Sequence, residues 1–236
     1  MIQRKRTAIL ISGRGSNMTA LIDAAAERDF PADIVTVISD KPEAQGLVLA
    51  RARGISTSVF ERKDFDNKDA HDAAIDAALR SADIEIVCLA GYMRLLTAGF
   101  VDKWRGRMIN IHPSLLPLFK GLDTHRRALD AGMRLHGCTV HFVTPETDDG
   151  PIIAQAAVPV LAADTETALI ARVLRAEHTI YPMALRMLAE GKVRMDGAVA
   201  LFSEDMRRAT DADGIVISPP RLSGPVDLEQ LARITP

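Results

Sequence analysis

The amino-acid sequence predicts an α/β fold, with a Rossmann-like parallel sheet in the N-terminal half that antiparallel strands extend in the C-terminal half. In the first half, short and almost continuously apolar runs alternate with Ala-rich helical stretches. This pattern is typical of parallel strands that are buried on both faces. In the second half, two extended runs lie close together in the sequence, which favours an antiparallel pair.

Each element has its own local signal. Apolar runs predict strands at 7–12, 34–39, 55–60, 84–90, 107–111, 137–144 and 151–160, and helical stretches are predicted at 18–28, 44–53 and 68–81. A long helix follows the last strand, and either Asp164 or Thr165 can cap its start. Pro182 is expected to kink or break this helix. Gly191 is expected to mark its end.

The chain is predicted to form one catalytic domain, residues 1–202, followed by a C-terminal extension, residues 203–236, that is poorly packed or peripheral. The extension contains a charged stretch and a Pro-, Ser- and Gly-rich stretch, with a short final helix expected in DLEQLARI. The 29 basic and 31 acidic residues leave a net charge of −2. We therefore expect no nucleic acid and no acidic membrane surface as a partner.

The cysteines and the spacing of possible ligands also limit the function. Cys88 and Cys138 lie in apolar runs without a CxxC pattern. Buried, inert thiols in a reducing cytoplasm are the simplest interpretation. No HExxH or other dense ligand spacing is present, so we expect no catalytic metal. No apolar stretch is long enough to span a membrane.

The first turn, ISGRGSN, lies between the first strand and the first helix. Gly13 and Gly15 allow a tight turn that presents backbone N–H groups, and Ser16 or Asn17 can cap the helix. A helix N-terminus attracts anions because its first N–H groups lack partners and carry the positive end of the dipole. A phosphate site and a plain turn without a ligand are both compatible with this motif.

A dinucleotide site is the main alternative for this turn. No GK[ST] follows, so the turn is not a P-loop, and Met18 stands where the third Gly of a dinucleotide fingerprint belongs. Asp40 follows the second strand at a distance suited to a ribose contact. A nicotinamide-dependent oxidoreductase therefore stays open, as does a binding module without catalysis.

Two polar residues interrupt the apolar stripe of the long helix. Glu177 and His178 follow Val173 and Leu174 at the i+4 spacing. A carboxylate on a buried face needs a partner. The simpler interpretation is that Glu177 is hydrogen-bonded to a partner in the core or lies in a locally exposed turn before Pro182. The functional interpretation is that its carboxylate faces a ligand, such as sugar hydroxyls.

The stretch NIHP places an amide and an imidazole at the end of the fifth strand. Asn110 and His112 point to the same side of an extended chain, and Pro113 stops the strand. Strand carboxyl ends open into the ligand crevice of a parallel sheet. Two such donors suit the stabilisation of an oxyanion, and Asp148 or Asp149 can supply the carboxylate that orients the imidazole. The remaining histidines are interpreted as surface or structural, with the last two kept as further candidates: His71, His136, His125 and His141.

Several motifs in order give the chain a specific resemblance. They are LISGRGSN, VISDKP, AGYMRLL, NIHPSLLP, FKGLDTH, HGCTVHFVT, DDGPII and EHTIYP, and they span residues 8–194. In these the chain resembles the phosphoribosylglycinamide formyltransferases, folate-dependent enzymes of purine synthesis. The resemblance implies the formyltransferase fold, glycinamide ribonucleotide and 10-formyltetrahydrofolate as substrates, no metal, and a cytoplasmic monomer or homodimer.

Other folate-dependent formyltransferases share part of these motifs, so a deformylase or another formyltransferase is the alternative. The GRGSN turn resembles the ribonucleotide-phosphate site of the glycinamide enzymes. We also expect neither the N-terminal regulatory domain of the deformylases nor the large tRNA-binding domain of the methionyl-tRNA enzymes.

The resemblance also implies roles for individual residues. The catalytic trio is Asn110, His112 and Asp148. The substrate contacts are Gly13, Gly15, Ser16, Asn17, Pro113 and, on the ribose, Glu177. The folate contacts are Lys68, Met93, Arg94, Leu95, Leu96 and Asn110. The chain departs from the family pattern at two positions. Lys68 stands where relatives commonly carry Arg, which binds carboxylates in a bidentate way. Asp149 stands where relatives usually have a small residue.

Overall fold

The computed structural model describes residues 4–204. The final helix expected in DLEQLARI lies outside the described residues, as does nearly all of the predicted extension. The strands are β1 (Lys5–Ile11), β2 (Ala32–Ser39), β3 (Ser56–Val59), β4 (Ile86–Leu89), β5 (Met108–His112), β6 (Leu135–Phe142), β7 (Ile152–Pro159), β8 (Val193–Asp196) and β9 (Val199–Phe202). The helices are α1 (Ser16–Ala25), α2 (Gln45–Ala52), α3 (Lys68–Ser81), α4 (Ala98–Lys103), α5 (Thr124–Asp130) and α6 (Glu166–Ala189).

Seven strands form one sheet in the order β3-β2-β1-β4-β5-β6-β7. Strands β1 to β5 pair in parallel, and β6 and β7 continue the sheet through antiparallel pairs. The predicted fold class is therefore confirmed. Because β1 has β2 on one side and β4 on the other, the chain reverses direction across the sheet at β1. Ligands of open α/β sheets bind at such a point, beyond the strand carboxyl ends.

Both faces of the sheet are buried, as the apolar runs predict. In β1, Ile9 and Ile11 pack into one core, while Ala8 and Leu10 pack into the other. Successive strand residues point to opposite faces, so a strand that is covered on both sides is apolar at every position. The core that contains Ile9 also includes buried residues of α6, whereas the core that contains Ala8 includes residues of α3 and α4.

The long helix α6 begins as predicted but is not broken by its proline. Thr165 caps it by accepting from the Ala168 N–H at 3.2 Å. Gly191, at φ 70°, follows its end, as expected for a left-handed residue after a helix. Of the predicted kink or break at Pro182, the break is wrong, because the helix runs through this residue, and the kink stays a prediction. Buried side chains on both sides of the proline, such as Tyr181 and Ala184, hold the helix against the sheet.

Helices α4 and α5, the β8–β9 hairpin and a single 3-10 turn at Arg62–Asp64 have no counterpart among the predictions. Both helices are short, with six and seven residues, and isolated segments of this length are unstable without tertiary packing. In α4, the burial of Phe100 and Val101 supplies that packing. None of the helices within residues 4–204 combines the length and the apolar character needed to cross a membrane.

Candidate active site

The end of β5 places two polar side chains next to each other at the carboxyl edge of the sheet. Asn110 is half-buried, and His112 is 6% exposed. In the β5–β6 ladder, Asn110 lies opposite His141 and His112 lies opposite Thr139. Pro113 has no N–H to continue the ladder, so β5 ends at this point.

The ring of His112 contacts an acceptor at each nitrogen. Nδ1 lies 3.4 Å from Asp148 Oδ2, and Nε2 lies 3.0 Å from the Phe119 carbonyl oxygen. A carbonyl oxygen can only accept, so Nε2 carries a proton and donates it to Phe119. The structure thus brings Asn110, His112 and Asp148 into one group.

A strained turn presents Asp148 to this group. Asp148 has a φ of 52°, in the left-handed region that Asp tolerates better than most residues. Its Oδ2 also accepts from the Gly121 N–H at 2.9 Å. A Cβ on Gly150 would lie 1.7 Å from the Phe142 carbonyl oxygen, so only glycine allows this close approach to β6. The neighbouring Asp149 points away and forms an ion pair with Lys120 at the surface.

His141 completes the group. Its Nδ1 donates to the Phe142 carbonyl oxygen at 2.8 Å, so its Nε2 can accept from Asn110 Nδ2 at 3.2 Å. Nε2 also lies 3.9 Å from Asp148 Oδ1. Burial lowers the pKa of His141, which keeps the ring neutral and able to accept. His141 therefore fixes the orientation of the Asn110 amide.

Two of the remaining histidines have structural positions, as predicted. His71 is fully buried, and its Nε2 contacts the Phe60 carbonyl oxygen at 2.9 Å. His136 is 1% exposed and packs edge-on against His125. Burial and the neighbouring His125 lower the pKa of His136 to about 4, so it is neutral at neutral pH.

The first turn starts α1 without a side-chain cap. The prediction that Ser16 or Asn17 caps this helix is wrong, because Gly15 is the cap residue and has a left-handed φ of 77°. A Cβ on Gly15 would lie 2.9 Å from Gly46 Cα, and the Gly46 N–H donates to the Gly13 carbonyl oxygen at 3.1 Å. The first N–H groups of α1 precede its first backbone hydrogen bond and are suited to bind an anion.

Asn17 connects this turn to the carboxylate on α6. Its Nδ2 donates to Glu177 Oε2 at 2.7 Å. Glu177 is 5% exposed, so this buried carboxylate in the apolar stripe does have a hydrogen-bond partner, the half-buried Asn17. Burial raises the pKa of Glu177, and the bond from Asn17 opposes part of that rise. The carboxylate thus lies next to the predicted phosphate site.

A cleft of about 210 Å³ opens beside the trio. Asn110, His141 and Asp148 line it, and so do residues predicted to contact folate, namely Lys68, Arg94, Leu95 and Leu96. Apolar side chains such as Leu89 and Val143 contribute to the same lining. Met93 is instead 62% exposed and lies outside the lining of this cleft.

The structure also bears on the predictions for Asp40 and for the two cysteines. Asp40 Oδ1 accepts from the Ser12 hydroxyl at 2.6 Å, so the residue on which the nicotinamide alternative rests is engaged inside the fold. Cys88 and Cys138 are buried free thiols, as expected. Within residues 4–204, no three His, Cys, Asp or Glu side chains are grouped so that they could hold a metal ion.

Comparison with known families agrees with this geometry. The sequence profile described as formyl transferase matches residues 5–185. The chain belongs to the formyl transferase family. The predicted resemblance is therefore confirmed. All three members of the trio lie within the matched residues, as do the first turn and Glu177.

Named members of the family align over most of the chain. Phosphoribosylglycinamide formyltransferase of Escherichia coli (strain K12) is 45% identical over 79% of this chain and 88% of that protein. The crystal structure of phosphoribosylglycinamide formyltransferase from Brucella melitensis is 59% identical, with a TM-score of 0.78, over 85% of this chain and all of that chain. The trifunctional purine biosynthetic protein adenosine-3 of Bos taurus is 50% identical over 86% of this chain, which spans 20% of that protein's length.

In this formyl transferase, His141 belongs to the site, although the prediction from sequence assigned it no specific role and kept it only as a further candidate. Its partner Asn110 lies 31 residues away in sequence. The signal that could have found it is register: both side chains point to the same face when β5 and β6 pair as an antiparallel ladder.

Proposed function

We propose that this chain transfers the formyl group of 10-formyltetrahydrofolate to the amine of glycinamide ribonucleotide in purine synthesis. The observation that carries the proposal is the position of Asn110, His112 and Asp148. These residues line or adjoin a cleft of mixed polar and apolar lining at the same sheet edge that presents the first turn. The similarity to named phosphoribosylglycinamide formyltransferases supports the same substrates.

The first turn and Glu177 suit the ribonucleotide. The phosphate would bind the first N–H groups of α1, with Gly13, Gly15, Ser16 and Asn17 around it. Glu177 is buried beside Asn17 and would accept from the ribose hydroxyls. A carboxylate so close to the phosphate is tolerable because Asn17 donates to it and α1 directs its positive end to the phosphate.

The cleft suits the folate. Its apolar lining, which includes Leu89, Leu96 and Val143, fits aromatic rings, and Lys68 and Arg94 are cations that fit the carboxylates of the glutamate tail. Lys68 would bind a carboxylate as a point charge, without the two parallel bonds of an arginine.

The trio would act on the carbonyl oxygen of the formyl group. The substrate amine attacks the formyl carbon, and the new C–N bond gives a tetrahedral intermediate with negative charge on oxygen. Asn110 and His112 donate to that oxygen, and the Asp148 carboxylate holds the His112 ring from the side of Nδ1. For Nε2 of His112 to donate, its bond to the Phe119 carbonyl has to open. Collapse breaks the bond between the formyl carbon and N10 of the folate, and the proton lost by the amine ends on N10.

The test is an assay of tetrahydrofolate release with glycinamide ribonucleotide as the acceptor. We expect turnover that depends on both substrates and falls at least a hundredfold in His112→Ala. The control is Asp33→Ala, which removes an exposed carboxylate on β2 outside the cleft lining. Hydrolysis of 10-formyltetrahydrofolate at the same rate without the acceptor would indicate a deformylase instead, and thermal stabilisation by NAD(P) but not by a folate analogue would indicate the oxidoreductase.

We infer that both partners are small molecules and that the chain acts as a cytoplasmic monomer or homodimer. The net charge of −2 supports the absence of a nucleic-acid partner. Sedimentation velocity would distinguish the two oligomeric states.

A further inference from the structure

Ser12 joins three strand ends at the carboxyl edge of the sheet. It is 6% exposed and lies directly after β1. Its hydroxyl donates to Asp40 Oδ1 at 2.6 Å and accepts from the Met93 N–H at 2.9 Å. Its own N–H donates to the Gly91 carbonyl oxygen at 3.1 Å. Asp40 follows β2, and Gly91 and Met93 follow β4, so one buried serine links all three.

The segment after β4, residues 91–97, has no regular secondary structure and is held mainly at its ends. At its start are the two bonds to Ser12 and the side chain of Tyr92, which is buried in the core with 9% exposure. At its far end, the Thr97 N–H donates to Asp72 Oδ2 at 2.6 Å. Between these anchors lie Arg94, Leu95 and Leu96, which line the cleft.

Asp40 determines which way the Ser12 hydroxyl points. A hydroxyl has one hydrogen and two lone pairs. Because the carboxylate can only accept, the hydrogen turns to Asp40 and a lone pair is left for the Met93 N–H. Without Asp40 the hydroxyl could rotate its hydrogen towards the Met93 N–H, and that bond would be lost.

We propose that Asp40 and Ser12 are positioning residues that hold the cleft wall, residues 91–96, in the conformation that binds the folate. The proposal rests on the proposed function and adds a residue pair outside the cleft lining. Ser12 directly precedes Gly13, but the two side-chain bonds that the proposal uses lead to Asp40 and to the Met93 N–H, and neither leads to the first turn.

The experiment measures binding of an unreactive analogue of the formyl-folate by calorimetry, together with kcat and the KM for each substrate. We expect Asp40→Ala to weaken analogue binding and raise the folate KM by about tenfold, the size expected for one lost hydrogen bond to a charged group. The ribonucleotide KM should change less than about twofold, well below the tenfold change expected from such a bond. A merely structural role would lower the melting temperature and affect both substrates alike.

Four further variants make the test more specific. Asp40→Asn keeps an oxygen acceptor for Ser12 and should bind the analogue like the wild type. Ser12→Ala should match Asp40→Ala, and the double variant should be no weaker than either, because Asp40 acts through Ser12. Asp33→Ala, which removes an exposed carboxylate on β2, the strand that Asp40 follows, is the matched control.

Several outcomes would overturn the inference. These are wild-type binding in Asp40→Ala, equal losses in Asp40→Asn and Asp40→Ala, or additive losses in the double variant. If Asp40→Ala did not fold, Ser12→Ala and Asp40→Asn would give the same decision. A wild-type protein that neither bound the analogue nor transferred formyl groups would overturn the proposed function as well. An active wild type whose Asp40 and Ser12 variants bound the analogue equally well would overturn this inference alone.

Discussion

Replacing Asn110 with alanine tests the oxyanion role most directly. The amide has two N–H donors, and one of them is directed at His141 Nε2 at 3.2 Å. The other is then available on the cleft side, where Asn110 contributes to the lining. Loss of one oxyanion donor costs about 2.7–4 kcal/mol of transition-state stabilisation, which lowers kcat by about 100- to 1000-fold.

The folate KM should change little in this variant. The formyl oxygen carries its full negative charge only in the tetrahedral intermediate, so the donor is stronger in the transition state than in the bound substrate. Tetrahydrofolate release gives kcat and KM in one assay. Asn110→Asp, which keeps the size of the side chain but has no N–H when ionised, should be at least as impaired.

Two controls exclude unfolding and a general disturbance of the cleft as causes of a lower kcat. Thermal unfolding should show a loss of about 1 kcal/mol for the missing bond to His141, which is too small to unfold the protein. Thr144→Ala changes another residue of the cleft lining and should keep kcat near the wild-type value. A kcat for Asn110→Ala within about threefold of wild type would refute the reasoning, since the predicted loss for an oxyanion donor is far larger.

Three more predictions concern the surrounding supports. Gly15→Ala forces a Cβ to within 2.9 Å of Gly46 Cα at a φ of 77°, so the ribonucleotide KM should rise at least tenfold while folate-analogue binding stays constant in calorimetry. Equal losses for both substrates would make the turn a packing element. Because burial raises the pKa of Glu177, the folded state binds a proton more tightly, and the free energy of unfolding should fall as pH rises above about 4.5. Glu177→Gln should flatten that slope in urea titrations; an unchanged slope would contradict it. Gly150→Ala should destabilise the fold by about 1–3 kcal/mol and lower kcat, because its Cβ would displace the Asp148 turn; a wild-type melting temperature would argue against this.

Most of the sheet could be predicted from the sequence because its signals are local. A strand buried on both faces must be apolar at nearly every covered position, as β4 is throughout and β1 is from Ala8 to Ile11. Helix α3 has the predicted bounds, and Asn67 caps its start by accepting from the Ala70 N–H at 2.8 Å. Helices α4 and α5 could not be predicted in this way, since their stability comes from the residues on which they pack.

In the candidate site, too, local features could be predicted from the sequence and contacts between distant residues could not. The amino-acid sequence was enough to establish that Asn110 and His112 share a face where a strand ends, because side chains alternate along an extended chain. Their partners depend on the folded chain: Asp148 for His112, His141 for Asn110 and, across 160 residues, Glu177 for Asn17. The order and register of neighbouring elements select such partners, and local periodicity contains no information about that order. For the same reason Gly15, and not Ser16 or Asn17, caps α1, since the close approach of Gly46 requires a residue without a side chain.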